Sequence, residues 1–265
     1  MTSQGVSYQI SGLAAIAQRD LLKLIRDRAR LAVNLAFPVL LVGGLGSLLQ
    51  PTVGRLTGLD TVTLAFTGVL AATVFQSAAA GMISIVEDRE TDFARELFVT
   101  PVARLTLVTG KLAGECLVAL VQGACVLAFA VVFGVPVTPG RLAGLALACL
   151  GSCLLGGSFG LATVAALPNQ RAAMQVFQFL IIPQYVLAGV LVPLRGVAPW
   201  LRVVSAAMPL RYAVDAARAS YYAGTAGYAK VAAGGLALDA VVAGVLFAVF
   251  LAVGTVLFIR RECTR

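Results

Sequence analysis

Histidine is absent from this chain, and charge is scarce: Asp, Glu, Lys and Arg together make up 12% of it. Soluble domains carry about a quarter of their residues as charge, so a soluble globular fold is excluded. Without histidine there is no His-based nucleophilic triad and no His-ligated metal. Asp215 and Asp239 stand apart in unlike surroundings and offer no acid–base pair. Glu115 is the acid placed to enter a long apolar stretch, and Lys111 precedes it by four residues, so a local ion pair at the inner interface is expected. Ion-driven carriers use mid-membrane acids or broken helices, and this chain has little of either. Nor is there a nucleotide loop, because Gly110-Lys111 lacks the upstream glycine and the following Ser or Thr of a P-loop. Energy for any active transport must therefore come from another polypeptide. Cys149 and Cys153 lie one helical turn apart, but nothing completes a metal site around them, and they read as small buried thiols.

What is present is apolar. Hydrophobic residues make up 60% of the chain and the mean hydropathy is +0.94. A transmembrane helix needs about 20 apolar residues to cross about 30 Å of hydrocarbon. Stretches at 31–49, 61–85, 108–135, 141–166, 172–192 and 235–259 qualify, and their continuous runs lack the alternation of a β-barrel. The chain is expected to be an all-α integral membrane protein of six transmembrane helices. Ile10, Leu13, Ala14, Ala17, Leu21, Leu24 and Ile25 recur at helical spacing opposite Arg19, Lys23, Arg26 and Asp27, the pattern of an amphipathic helix lying in the interface. No apolar core of a cleavable leader precedes 31–49, so that span is expected to serve as the insertion signal.

Lys and Arg crowd the segments before 31, between 86 and 111, at Arg171 and after 259, whereas the short opposite loops carry Arg55 and Arg141. The positive-inside rule then places both termini in the cytosol of a cell inner (plasma) membrane. The net charge of +8 reflects this topology and contact with anionic lipid. It is not a nucleic-acid footprint, since groove-reading and stacking elements are missing.

Two polar features stand out. Gln76, Gln122, Gln175, Gln178 and Tyr185 fall inside the apolar spans. They are candidates either for interhelical hydrogen bonds or for lining a polar pathway. Small residues recur as Gly43, Gly44, Gly46 and Ser47 in the first span and as Ser152, Gly156 and Gly160 in the fourth, where backbones can approach closely. The other feature is a charged island, Glu87-Asp88-Arg89-Glu90-Thr91-Asp92-Phe93-Ala94-Arg95-Glu96-Leu97-Phe98-Val99-Thr100-Pro101-Val102, set between the second and third spans. Its pattern is that of a short helix at a membrane surface.

That island resembles the acidic–basic stretch of ABC-2-type transporter permeases, with Arg104 and Gly110-Lys111 following as in many of them. Val192-Pro193-Leu194-Arg195-Gly196-Val197-Ala198-Pro199-Trp200-Leu201 and Met208-Pro209-Leu210-Arg211-Tyr212-Ala213-Val214-Asp215-Ala216-Ala217-Arg218 resemble two further segments of the same family. Asp92 stands where the family usually has glycine, and Met208 where it has asparagine. The resemblance covers essentially the whole chain and implies a single domain over 1–265. In that layout a cytosolic amphipathic helix takes 1–30, five spans take 31–192, an external re-entrant segment takes 193–234, the last span takes 235–259, and a cytosolic tail takes 260–265.

The resemblance also implies a mechanism. Such permeases pair with a second permease subunit, as homodimer or heterodimer, and with two ABC ATPase subunits that hold ATP and Mg; this chain itself binds no cofactor. Carried over by position, Glu87, Asp88, Arg89, Glu90, Arg95 and Glu96 would form or orient the coupling helix on the ATPase, with Phe93, Leu97 and Phe98 packing it back on the bundle. Thr100 and Pro101 would end it, proline being a physical stop. The implied activity is export of a drug-like, lipid-like or glycan substrate, antibiotic resistance among the outcomes. An ion-coupled multidrug transporter and a non-transporting membrane anchor for an ATPase are the alternative readings.

Overall fold

The computed structural model of the chain describes residues 28–55, 58–90, 104–194, 198–231 and 235–263. The amphipathic segment before residue 28 and the island residues Arg95, Glu96, Thr100 and Pro101 lie outside the described residues. Every regular element among the described residues is helical, and no strand occurs among them. Among the described residues, five helical stretches are long and apolar enough to cross a membrane: Asn34–Gly54, Thr61–Glu87, Val108–Val132, Pro139–Val164 and Leu236–Arg260.

The first helix, α1 (Arg28–Val39), continues through a π-helical stretch Leu40–Leu45, one α-turn Gly46–Leu49 and a second π stretch Gln50–Gly54. Pro38 ends the regular part and Pro51 lies in the second π stretch; each lacks the N–H that an α-helical ladder requires there. This helix outruns the expected 31–49. Its extension is held by Gln50, whose Oε1 accepts from the Thr61 backbone N–H at 2.8 Å, and by the Thr61 hydroxyl donating to Gly46 O at 2.7 Å.

Next, α2 (Thr61–Gly81) starts at Asp60, whose carboxylate accepts from Val62 and Thr63 N–H groups. A turn at Met82 and Ile83 leads into α3 (Ser84–Glu90). Beyond the island run α4 (Arg104–Val132), α5 (Pro139–Val164) and α6 (Gln170–Leu187). Then α7 (Pro199–Ala206), α8 (Pro209–Tyr222) and the single turn α9 (Tyr228–Val231) precede α10 (Leu236–Cys263). Pro139, Pro199 and Pro209 each stand in the first turn of a helix, where the missing N–H costs nothing.

Among the membrane-length helices α2 is the most enclosed and α10 the most exposed. It forms the axis of the bundle, packed by α5, α4 and α8. Gly156 and Gly160 lie directly on its backbone: an added Cβ would sit 2.2 Å from Phe75 O and 2.3 Å from Ala79 O, respectively. This small-residue row is thus a seam within one subunit.

The expected fifth span, 172–192, is the one that departs. Helix α6 stops at Leu187 after 18 residues, about 27 Å, and it carries Gln170, Gln175, Gln178 and Gln184 together with an internal Pro183. It therefore falls outside the five apolar stretches. The segment 193–234 is no mere surface connection either. Helix α8 inserts among α5, α2 and α10, burying Leu210, Val214, Ala217, Arg218 and Tyr221.

Candidate functional site

A cavity of about 330 Å³ with several hydrogen-bonding side chains on its wall opens where α1, α2, α4 and α6 meet. From α2 come Thr73, Gln76, Ser77 and Ala80, positions i, i+3, i+4 and i+7 of one helical face. The α4 wall supplies Glu115, Val118 and Gln122, the α1 wall Asn34, Phe37 and Pro38, and α6 supplies Tyr185. A larger hollow of about 630 Å³ lies between α4 and α5, but Leu120, Leu127, Leu145 and Leu150 and their neighbours make it almost wholly apolar. The larger hollow lacks the few convergent polar groups that orient a ligand and the smaller one has them, so the smaller cavity is the candidate.

Its geometry is defined by a few contacts. The Tyr185 hydroxyl donates to Gln76 Oε1 at 2.7 Å, tying α6 to α2 across the cavity. The Tyr185 ring meets Phe37 edge to face with centroids 6.3 Å apart. Glu115 is buried and paired with Lys111, Nζ to Oε1 at 2.9 Å, the i,i+4 pair expected from their spacing. Gly81 leaves room for this carboxylate: a Cβ there would lie 1.8 Å from Glu115 Oε2. Ser84, the first residue of α3, donates its hydroxyl to Gly81 O at 2.5 Å, and its Oγ lies 3.5 Å from Glu115 Oε1. The cavity's one charged wall therefore abuts the joint between α2 and α3.

Of the residues singled out for a pathway, Gln76, Gln122 and Tyr185 converge on this cavity. Gln175 and Gln178 are exposed on α6 and stand apart from it. Of the coupling residues, Glu87, Asp88, Arg89 and Glu90 occupy the last turns of α3, with Glu87 exposed.

Sequence reasoning passed over Asn34, Thr73 and Ser77, although Thr73, Gln76 and Ser77 form a legible polar stripe in an apolar helix. It also missed the latch that sets α6. Arg218, fully buried on α8, donates through Nη2 to Gly189 O at 2.7 Å and to Val190 O at 2.8 Å, just past the end of α6. Those carbonyls follow a helix C-terminus, where a cation is favoured. Gly68 of α2 is the floor beneath them, since a Cβ there would fall 1.9 Å from Val190 O. Ser205 Oγ donates to Leu187 O at 2.6 Å, and Gln184 Oε1 accepts from Leu210 N–H at 3.4 Å.

Five membrane-length helices among the described residues, several of them meeting at a cavity with hydrogen-bonding groups on its wall, define a multi-pass membrane protein. The chain belongs to the ABC-2 type transporter family, whose sequence profile matches residues 11–222, a range that ends with the last residue of α8. A protein of Cyanophora paradoxa that bears the name transport permease ycf38 is 24% identical over 212 residues, covering 78% of this chain and 73% of that protein. The protein is thus a membrane transport permease, a transport subunit rather than an enzyme.

Proposed function

We propose that this chain is the membrane subunit of an ATP-binding cassette exporter, with both termini in the cytosol of the plasma membrane. Two copies, or one copy and a sister permease, form the path. Two separate ATPase subunits bind ATP and Mg and drive it through the 87–104 segment. In this reading α6 completes a six-helix bundle, and α7–α8 form a re-entrant cap over the outer end of the path. Non-spanning backbone at membrane depth is tolerated where protein covers it, and α8 is so covered. The observation that carries the reading is the cavity itself: in a member of this family, a hydrogen-bonding hollow in the bundle adjoins the helix leading into the 87–104 segment. Gln76, Gln122 and Tyr185 would meet the solute, with Gln175 and Gln178 along the same helix as it leaves.

The test is co-purification of the tagged chain, wild type and with Glu90→Arg plus Glu96→Arg, followed by an ATPase assay. Recovery of an ATP-hydrolysing partner with the wild type and its loss with the charge-reversed form is the expected result. Absence of such a partner from both refutes the reading and leaves the ion-driven carrier, whose flux would follow a proton gradient. Partner binding without solute flux in sealed vesicles would instead indicate a membrane anchor.

A further inference from the structure

We infer that the cavity between α1, α2, α4 and α6 binds the uncharged, hydroxyl-rich head of an amphiphile, a group of about one sugar ring in size. This rests on the permease reading for its role in transport, but the binding site stands on its own geometry. Asn34, Gln76 and Gln122 bring amides, and Thr73, Ser77 and Tyr185 bring hydroxyls. Each of these groups both donates and accepts, the complement of a ligand that does the same. A volume of about 330 Å³ is at the small end of ligand sites.

Thr73 carries the argument. Thr67 turns back to bond Leu64 O, Ser152 bonds Ala148 O, Ser158 bonds Leu155 O and Thr163 bonds Gly160 O, whereas Tyr222 and Thr255 keep buried hydroxyls without a partner but lie away from this cavity. Thr73, 6% exposed and on the cavity wall, keeps its Oγ1 buried with no partner. A membrane bundle offers no bulk water to such a group, so an unmade bond there carries its full cost. A ligand hydroxyl in the cavity would satisfy it.

Charge decides the class. Among the described residues the lining holds no Lys or Arg, and its one charged group is the Glu115 carboxylate. Because Lys111 already neutralises that carboxylate, a phosphate or carboxylate head would enter a low-dielectric site with no cation left to pair with it. A quaternary ammonium would compete with Lys111, already 2.9 Å from Glu115, and would leave one of two cations unpaired in a low-dielectric site. An uncharged polyol meets neither penalty.

The full chain in phosphatidylcholine nanodiscs, measured against empty nanodiscs, is offered decyl glucoside, decylphosphocholine, decyltrimethylammonium and decanoate. Wild type should retain the glucoside in excess over the other three. Thr73→Val and Gln122→Leu should each weaken that retention about tenfold, the worth of one hydrogen bond. Thr73→Val exchanges an unpartnered buried hydroxyl for a methyl, so it folds at least as well as wild type and its loss of binding is not unfolding. Equal retention of all four heads, preference for a charged head, or glucoside retention unmoved by both substitutions would each overturn the inference. The readout needs no ATPase: binding without a recovered ATPase sinks the exporter reading alone, and an ATPase without head-group selectivity sinks this one alone.

Discussion

Gly160→Ala and Gly151→Ala place the same methyl on the same helix in opposite surroundings. At Gly160 the new Cβ lies 2.3 Å from Ala79 O and 2.7 Å from Ala79 Cα, inside the distance any real Cβ keeps from backbone. At Gly151 nothing lies within 4 Å. Relieving the first overlap requires α5 to withdraw from α2 by roughly 1 Å, and overpacking of this kind costs about 1–3 kcal/mol. Both substitutions gain the helix preference of alanine over glycine, about 1 kcal/mol, so that contribution cancels between them. Gly151→Ala should therefore be stabilised by about 1 kcal/mol, and Gly160→Ala should be less stable than Gly151→Ala by about 1–3 kcal/mol. Reversible unfolding in mixed micelles, titrated with a denaturing detergent, measures the difference. Stabilities of the two variants within about 0.5 kcal/mol of each other would refute the close approach of α5 to α2. A Gly160→Ala cost that vanished on dilution would place the seam between subunits instead of within one. The stake is functional, because the opposite side of α2 carries Thr73, Gln76 and Ser77 into the cavity.

Arg218→Met leaves Gly189 O and Val190 O without their buried donor while sparing the cost of enclosing a cation. A net loss of about 2–4 kcal/mol in the same unfolding assay is expected. Lys111→Met alone removes the cation paired with buried Glu115 and should destabilise by about 3–5 kcal/mol, whereas Lys111→Met with Glu115→Met should recover most of that loss. A double variant no more stable than the single would contradict the pairing. Tyr185→Phe removes the donor to Gln76, and its double-mutant cycle with Gln76→Leu should return a coupling of about 0.5–1.5 kcal/mol. Zero coupling would remove the bridge between α6 and α2.

Hydropathy alone determined the class, the positions of α2, α4, α5 and α10, and the helical character of what joins them. A residue inserted into hydrocarbon must bond its own backbone, and continuous apolar runs of that length have one way to do so. The Lys111–Glu115 pair was equally legible, because residues four apart on a helix face each other whatever surrounds them. The family, too, lay in the linear motifs at 87–104 and 192–218.

Tertiary structure decided which polar residues meet. Periodicity says that Gln178 and Tyr185 share a face of α6, but that face runs for about 10 Å, and the cavity takes only the end holding Tyr185. Where that end sits is fixed by Arg218, Ser205 and Leu210, between 18 and 29 residues from their partners in the chain. The same holds for α8: the segment 193–234 reads as external, yet α8 is buried among α2, α5 and α10, and its Arg218 reaches two carbonyls just past the end of α6. A sequence displays which groups need partners, but the partners of a buried cation or an orphaned hydroxyl are chosen only when distant helices close around them.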